Sequence, residues 1–227
     1  MSDMALSEVT FELKPPPTED ELPYDDGMPM ETPRHRLQVN LLVETLEFAW
    51  RDRQDVYVGG NMFVYFSPDQ VRNFDFRGPD FFVVLDAPRR ERKSWVVWQE
   101  GKGPDVVVEL LSESTAAQDK HEKKLIYQNR LRVPEYFWFD PFSGEWAGFI
   151  LQQGVYQPLA PDDQDRLISR QLQLAFVRWQ GNYQGIEATW LRLATLAGDL
   201  LLTQQELAEQ LQAKLARYQA QFGELPE

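Results

Sequence analysis

The chain has no cysteine among its 227 residues, and this absence excludes several classes of protein. A disulfide framework, a thiolate zinc site and a cysteine nucleophile all need sulfur that is not present. Histidine is scarce, with two residues, so a histidine-based hydrolytic site would be thinly supplied. No run of about 18 apolar residues occurs, so we expect no membrane-spanning helix and no membrane partner. The first residues show no signal-peptide pattern, and the lack of cysteine suits a reducing cytoplasm.

Several nucleotide and hydrolase motifs are also missing from the sequence. It contains no GxGxxG, no GxxxxGK[ST], no HExxH and no GxSxG. A two-carboxylate glycosidase would need an acid pair at an open cleft with platforms for sugars, and nothing in the sequence indicates saccharide. The chemistry that remains available is that of carboxylates on apolar strands.

Basic residues are outnumbered, and the net charge of −13 argues against a general polyanion binder. The acidity is unevenly distributed. Residues 1–33 hold nine acids and one base, a net charge of −8, whereas residues 87–132 hold ten bases and seven acids, a net charge of +3. The middle of the chain is therefore mildly basic, whereas the acidity lies toward its two ends.

Composition and periodicity divide the chain into three parts. Residues 1–33 form an acidic, proline-rich arm, predicted to pack locally through its apolar residues Phe11, Leu13, Leu22 and Tyr24. Residues 34–185 are predicted to form the main domain. Residues 186–227 read as a helical tail with a leucine-spaced stripe through Leu211 and Leu215. Such a tail favours a homodimer, although it could also pack on its own domain.

The main domain is predicted to be α/β, with a mixed central sheet flanked by helices. Residues 79–87 and 104–112 are apolar on both faces, which is typical of central strands. The other predicted elements are a helix within 34–53, a hairpin or a tight strand connection around 59–61, a short strand at 95–98, a helix at 116–130 that buries Leu125 and Ile126, a strand at 134–141, a hairpin at 146–159 turning near Gly154, and a strand within 171–180.

Two carboxylates stand in or beside the apolar strands. Asp80 opens the strand at 79–87, and Glu109 interrupts the apolar run of 106–110. An uncompensated buried carboxylate costs several kcal/mol or becomes neutral. Two acids converging at one edge of a sheet would repel each other unless a cation neutralised both. Mg²⁺ accepts one or two carboxylates together with water and phosphate oxygens, so this pair suits it.

Four segments in a fixed order resemble a known family. They are GPDFFVV at 78–84, PDVVVELLSEST at 104–115, DKHEKKLIY at 119–127 and VPEYFWFDP at 133–141, and DGMPMETPRH at 26–35 adds to the likeness. Together they resemble the restriction-endonuclease-like family abundant in cyanobacteria, a branch of the PD-(D/E)XK nuclease superfamily. The likeness covers roughly half of the chain.

The resemblance implies a Mg²⁺-dependent endonuclease acting on DNA, with Mn²⁺ as an alternative cation. It makes Asp80 the aspartate of the PD element and Glu109 the acid of the (D/E)XK element, both binding the metal. The chain departs from the superfamily pattern at Leu111, where the lysine would stand. The resemblance moves the catalytic lysine to Lys123, with Lys124 as the fallback.

Each of these residues also has a purely structural interpretation. Asp80 could cap its own backbone, Glu109 could pair with an arginine in the core, and Lys123 could be an exposed partner of Asp119, with Tyr127 packing beside it. Six further residues are either ligands or ordinary surface residues. Glu31 and His35 are candidates for metal or substrate contact, and the candidates for phosphate contact are Arg89, Arg90, Arg92 and Lys93. The alternative function is a catalytically inactive nuclease fold that serves binding or assembly.

Overall fold

The computed structural model describes residues 15–24, 32–67, 76–112 and 118–223, and shows an α/β architecture. The strands are β1 Val56–Gly60, β2 Val64–Tyr65, β3 Phe76–Arg77, β4 Phe81–Leu85, β5 Trp95–Val96, β6 Val106–Leu110, β7 Glu135–Phe139, β8 Trp146–Gln152, β9 Val155–Leu159, β10 Leu167–Ser169, β11 Leu174–Tyr183 and β12 Ile186–Ala194. The helices are α1 Pro33–Ala49, α2 Val97–Glu100, α3 over residues 118–131 and α4 Gln204–Phe222. In this part of the chain no helix is long and apolar enough to cross a membrane.

The central sheet confirms the predicted mixed arrangement. Its six strands run in the order β1-β4-β6-β7-β8-β9, and every neighbouring pair is antiparallel except β6 and β7, which are parallel. The strands β4 and β6 lie inside this sheet and are covered on both faces, which explains their unbroken apolar sequences.

One face of the central sheet packs on α1 and on a second sheet, β10-β11-β12. Thr32 begins α1 by accepting a hydrogen bond from the backbone N–H of His35, and Pro33 occupies the first turn, where its missing N–H costs nothing. Gln38 exchanges two hydrogen bonds of 2.8 and 2.9 Å with the backbone of Leu191 on β12. The buried apolar side of α1 and this amide pair together fix the helix between the two sheets.

The opposite face packs on α3 and on the small sheet β3-β2-β5. Residues alternate between the two cores, so Val83, Val106 and Val108 face α1 while Phe82 and Val107 face α3. This period-2 alternation places every second residue of β4 and β6 on the side of α3. Asp80 and Glu109 both lie on that side as a result.

The helix α3 has wide turns over Gln118–Lys123 and Tyr127–Leu131, on either side of a short α-helical segment, Lys124–Ile126. These wide turns have a larger repeat than the α-helix, and they rotate the buried face. Leu125 is therefore 54% exposed, so its predicted burial was wrong, and Tyr127 is the residue that α3 buries completely. The beginning of the helix predicted at 116 lies outside the described residues.

Of the two predictions for residues 59–61, the hairpin was wrong and the tight connection between strands is confirmed, since β1 ends at Gly60 and β2 begins at Val64. The strand β1 pairs with β4 in the central sheet, whereas β2 pairs with β3 and β5 in the small sheet. The two glycines permit close packing instead of a hairpin: a Cβ on Gly59 would come 2.3 Å from the ring of Phe82, and one on Gly60 would come 2.9 Å from Val39. The predicted strand at 95–98 is also shorter, because Val97 begins α2.

The helical tail predicted from residue 186 begins only at Gln204. Ile186–Ala194 is strand β12, and it pairs with β11 along nine residues of a long hairpin. Its alternating pattern was overlooked because leucine, arginine and alanine in this stretch are also good helix formers. The strand at 134–141 and the hairpin at 146–159 are confirmed as β7, β8 and β9, with Gly154 at a φ of 85° in the turn.

Residues 15–24 of the acidic arm lie against the small sheet. Leu22 is buried in a small core with Tyr65 and Val96, and Trp98 donates a 2.9 Å hydrogen bond to the carbonyl of Pro17. The predicted local packing of the arm is thus confirmed for Leu22, while Tyr24 is 63% exposed. The remainder of the arm, including Glu31, lies outside the described residues.

Candidate functional site: a pair of acids at the end of the central sheet

Asp80 and Glu109 are neighbours across two strands. The register of β4 and β6 pairs Phe81 with Val108 and Phe82 with Val107. Continuing that register by one residue places Asp80 opposite Glu109, on the face that packs against α3. Residues directly opposite each other in an antiparallel pair have Cβ atoms about 4.5–5.5 Å apart. The two predicted acids therefore meet at one end of the sheet.

The carboxylate of Asp80 also completes the hydrogen bonding of the neighbouring strand. Its Oδ2 accepts a 2.7 Å hydrogen bond from the backbone N–H of Leu110, two residues beyond Val108, the last residue of β6 that pairs with β4. An acid held by a charge-assisted bond to backbone is fixed in direction. The bond crosses between strands, so the Asp80 carboxylate has a partner outside its own backbone.

Glu109 is fully buried, and α3 brings two donors to it. Lys123 Nζ lies 3.2 Å from Oε2, and the Tyr127 hydroxyl donates a 2.6 Å hydrogen bond to Oε1. The Lys123 side chain is 19% exposed, so it extends from the surface toward the acid. A buried carboxylate is costly unless it is paired and hydrogen-bonded, and these donors meet that requirement.

Tyr127 is more than the packing residue that its sequence position suggested. Burial raises the pKa of its hydroxyl well above the ordinary value, and the negative charges of Glu109 and Asp80 add to that effect. The hydroxyl thus stays protonated and donates to Glu109 across the working pH range. Its i,i+4 spacing from Lys123 was the available signal, since residues four apart share one side of a helix.

His35 connects α1 to the strand that carries Glu109. Its Nε2 donates to the carbonyl of Leu111 at 3.1 Å, and its Nδ1 lies 2.8 Å from the hydroxyl of Thr32. The ring is 3% exposed, so both nitrogens are engaged inside the protein. Leu111, at the position where the family pattern has lysine, is buried and pairs with Phe139 through its backbone N–H.

The other candidates are separated from the acid pair or lie outside the description. Lys124 points away from Glu109, with its Nζ 3.4 Å from the ring centre of Phe149, and burial lowers its pKa. Glu31 and the side chain of Asp119 are outside the described residues. The basic connection after β4 is engaged by acids: Arg89 with Glu47 at 3.7 Å, Arg90 with Glu19 at 3.1 Å and with Glu100, Arg92 with Glu100 at 2.8 Å, and Lys93 with Asp20 at 2.7 Å.

The donor set fits a hard divalent cation. Asp80 and Glu109 offer carboxylate oxygens side by side, and Mg²⁺ is commonly held by one or two carboxylates with water completing its shell. Within the described residues, no group of three or more acidic or histidine side chains that could hold a metal ion is found. The acid pair, supplemented by water and substrate oxygens, could supply the ligands of such an ion.

A mixed sheet with paired acids at one end and a lysine reaching one of them is an arrangement suited to phosphodiester chemistry. The chain belongs to the Uma2 family, described as "Putative restriction endonuclease", whose model matches residues 12–181. This confirms the family resemblance seen in the sequence.

Among solved structures, the chain is similar to one described as a putative nuclease belonging to DUF820 from Anabaena variabilis ATCC 29413. The two share 19% sequence identity with a TM-score of 0.45, over 66% of this chain and 88% of that chain. No curated protein matches the chain.

Proposed function

We propose that this protein is a metal-dependent endonuclease that hydrolyses DNA phosphodiester bonds with Mg²⁺, or with Mn²⁺ in its place. The observation that carries the proposal is the position of Asp80 opposite Glu109 with Lys123 3.2 Å from the Glu109 carboxylate. Membership of the Uma2 family, described as "Putative restriction endonuclease", supports the same reaction class.

The contacts of each residue indicate its role in the proposed reaction. Asp80 and Glu109 would hold the cation, which when bound would lower the pKa of a coordinated water and neutralise charge on the phosphate. Tyr127 and the backbone N–H of Leu110 keep the two carboxylates in their directions. Such preorganisation lowers the reorganisation needed during the reaction.

Lys123 supplies the positive charge that Leu111 lacks. Its ammonium group stands beside Glu109, where it can donate a hydrogen bond to an attacking water or to a phosphate oxygen. Lys124 packs against Phe149 and is directed elsewhere, so the geometry supports Lys123 for this role.

The test is metal binding measured apart from cleavage. Glu109→Gln and Asp80→Asn keep the size of each side chain but remove its charge, so calorimetric Mn²⁺ titration should show one site in the wild type and greatly weakened binding in both variants. Glu135→Gln is the matched control, because Glu135 is a buried carboxylate on the adjacent strand β7 and lies outside the site. Cleavage of plasmid DNA should follow metal affinity through the series.

Two results would contradict the proposal. Loss of Mn²⁺ binding in Glu135→Gln equal to that in Glu109→Gln would mean that the acid pair is not the site. A wild type that binds no divalent cation and cuts no DNA or RNA would favour the alternative function, an inactive nuclease fold used in binding or assembly. The observation that supports this alternative is that Leu111 stands where the family pattern has its catalytic lysine.

We also propose that the protein forms a homodimer through α4. All of α4 is described and none of its residues is buried, while Leu211, Leu215, Tyr218 and Phe222 form an exposed apolar stripe. Helices in proteins owe most of their stability to packing, so such a stripe needs a partner. A second copy of α4 is a suitable partner because the helix has two acids and two bases and so carries no net charge. Two copies of it therefore do not repel each other, although the whole chain is strongly negative.

Light scattering over a concentration series tests the dimer. Leu211→Glu with Leu215→Glu should give a monomer, because each places a charge in the stripe. Gln205→Glu with Gln212→Glu adds the same charge to α4 outside the stripe and should leave a dimer. A wild type that stays monomeric throughout the series would rule the dimer out.

A further inference from the structure

Phe142 is an exposed aromatic residue at the end of the sheet where Glu109 lies. It is 66% exposed on the connection between β7 and β8, and its ring centre is 6.1 Å from that of His35. His35 is in turn bonded to the carbonyl of Leu111, two residues beyond Glu109. Two residues of a strand span about 6.6 Å, so Phe142 lies within a few nucleotide lengths of the acid pair.

The turn that presents Phe142 is held by Asp140. Its Oδ1 accepts hydrogen bonds from the backbone N–H of Phe142 at 2.8 Å and of Ser143 at 3.2 Å, and its Oδ2 accepts from the Ser143 hydroxyl at 2.7 Å. Arg178 donates a further 3.1 Å bond to the carbonyl of Gly144. Because these hydrogen bonds hold the turn, the exposed phenyl group of Phe142 loses little conformational freedom when it binds a ligand.

An arginine lies beside the phenyl ring. The guanidinium carbon of Arg34 is 5.7 Å from the ring centre of Phe142 and 4.8 Å from that of the buried Trp190, and its Nη2 donates to the carbonyl of Pro141 at 2.9 Å. Among the described residues Arg34 makes no ion pair, and its buried Nε has no hydrogen-bond partner. A fixed cation next to an exposed aromatic surface is suited to a nucleotide, with its flat base and its phosphate.

We propose that Phe142 and Arg34 form a subsite for an unpaired nucleotide that lies a few nucleotides along the DNA strand from the scissile phosphate. Phe142 stacks on the base, and Arg34 contacts the adjacent phosphate. Stacking requires an exposed face of the base, so the subsite favours single-stranded DNA or a frayed end over an intact duplex. This inference rests on the proposed nuclease function and names the form of substrate that the site accepts.

The experiment measures DNA binding without cleavage. Fluorescence anisotropy measures the affinity for a labelled single-stranded oligo(dT) and for an abasic strand of equal length. Each affinity is measured under two conditions that prevent cleavage, one with EDTA and one with Ca²⁺ in place of Mg²⁺. Phe142→Ala should weaken oligo(dT) binding about tenfold, the scale of losing one stacked base, while its binding to the abasic strand stays that of the wild type. Phe142→Trp should restore the oligo(dT) affinity. Tyr24→Ala, which removes another exposed aromatic ring, should change neither affinity.

Several outcomes would overturn the subsite. One is equal affinity of wild type and Phe142→Ala for oligo(dT), and another is an equal loss on both strands. A third is that Phe142→Ala changes the oligomeric state of the protein and neither DNA affinity, since Phe142 would then be a contact between copies of the chain. Plasmid cleavage by the wild type, assayed in parallel, separates the two proposals. Cleavage without an effect of Phe142→Ala refutes the subsite alone, whereas no binding and no cleavage refute both.

Discussion

The hydroxyl of Tyr127 donates a 2.6 Å hydrogen bond to Glu109 Oε1 at a place where both residues are fully buried. The two residues are 18 positions apart, on α3 and β6, so this bond joins the helix to the strand at the acid pair. A hydrogen bond to a charged group contributes about 1.5–3 kcal/mol, more than a neutral one. We therefore expect Tyr127 to influence both the stability of the fold and the position of Glu109.

Tyr127→Phe should weaken Mn²⁺ binding and lower plasmid cleavage, because Glu109 loses the donor that directs one of its oxygens. The matched control is Tyr156→Phe, which also deletes a buried hydroxyl next to Tyr136, there a donor to the carbonyl of Val133 at 2.9 Å. Both variants should lose stability, by about 1–3 kcal/mol in urea unfolding. Metal affinity should fall only in Tyr127→Phe, and an equal fall in both would reduce Tyr127 to a packing residue.

Lys123→Met should retain Mn²⁺ binding but cut cleavage by about 10²–10⁴-fold, the usual loss for one catalytic group. Methionine keeps most of the apolar stem and removes the ammonium beside Glu109. Lys124→Met removes the neighbouring charge, which lies over Phe149, and should keep most of the activity. Single-turnover cleavage with matched stability measurements checks the pair. The opposite pattern, with activity lost in Lys124→Met alone, would transfer the role to Lys124.

The buried acid Glu135 makes the fold sensitive to pH. Burial raises its pKa above 4.5, although the Ser169 hydroxyl and the backbone N–H groups of Arg170 and Gln171 donate to it. A raised carboxyl pKa contributes stability that is fully present below about pH 4.5 and is lost as pH rises through the folded-state value. Urea unfolding at a series of pH values should therefore show Glu135→Gln gaining on the wild type as pH rises. A difference that is independent of pH would refute this.

The acidic arm is expected to compete with DNA for the basic connection after β4. Glu19 and Asp20 pair with Arg90 and Lys93, so Glu19→Gln with Asp20→Asn should tighten DNA binding and steepen its salt dependence. Exposed ion pairs contribute about 0–1 kcal/mol, so stability should change little.

The control for the arm variant removes the same total charge elsewhere. Asp162→Asn with Asp163→Asn removes two charges in the loop before β10 and breaks the pair between Asp162 and Arg166. If this control tightened DNA binding as much as the arm variant, net charge alone would account for the effect.

Much of the central sheet could be predicted from local patterns. The runs at 79–87 and 104–112 are apolar on both faces, and strands covered on both sides require that pattern. The separation of β1 from β2 could not be predicted in the same way, because it depends on which distant strand each one meets. The strand β12 was missed for a related reason: its pairing with β11 outweighs the helix propensity of its leucines and alanines.

The sequence by itself determined the family, the two acids and the order of the elements that carry them, because each depends on residue type and short-range spacing. Only the tertiary structure decided the partners of those acids. Lys123, rather than Lys124, meets Glu109 because the wide turns of α3 set which residues face the sheet. Tyr127 and the backbone of Leu110 join the site because hydrogen bonds need distances and angles that only the packed chain supplies.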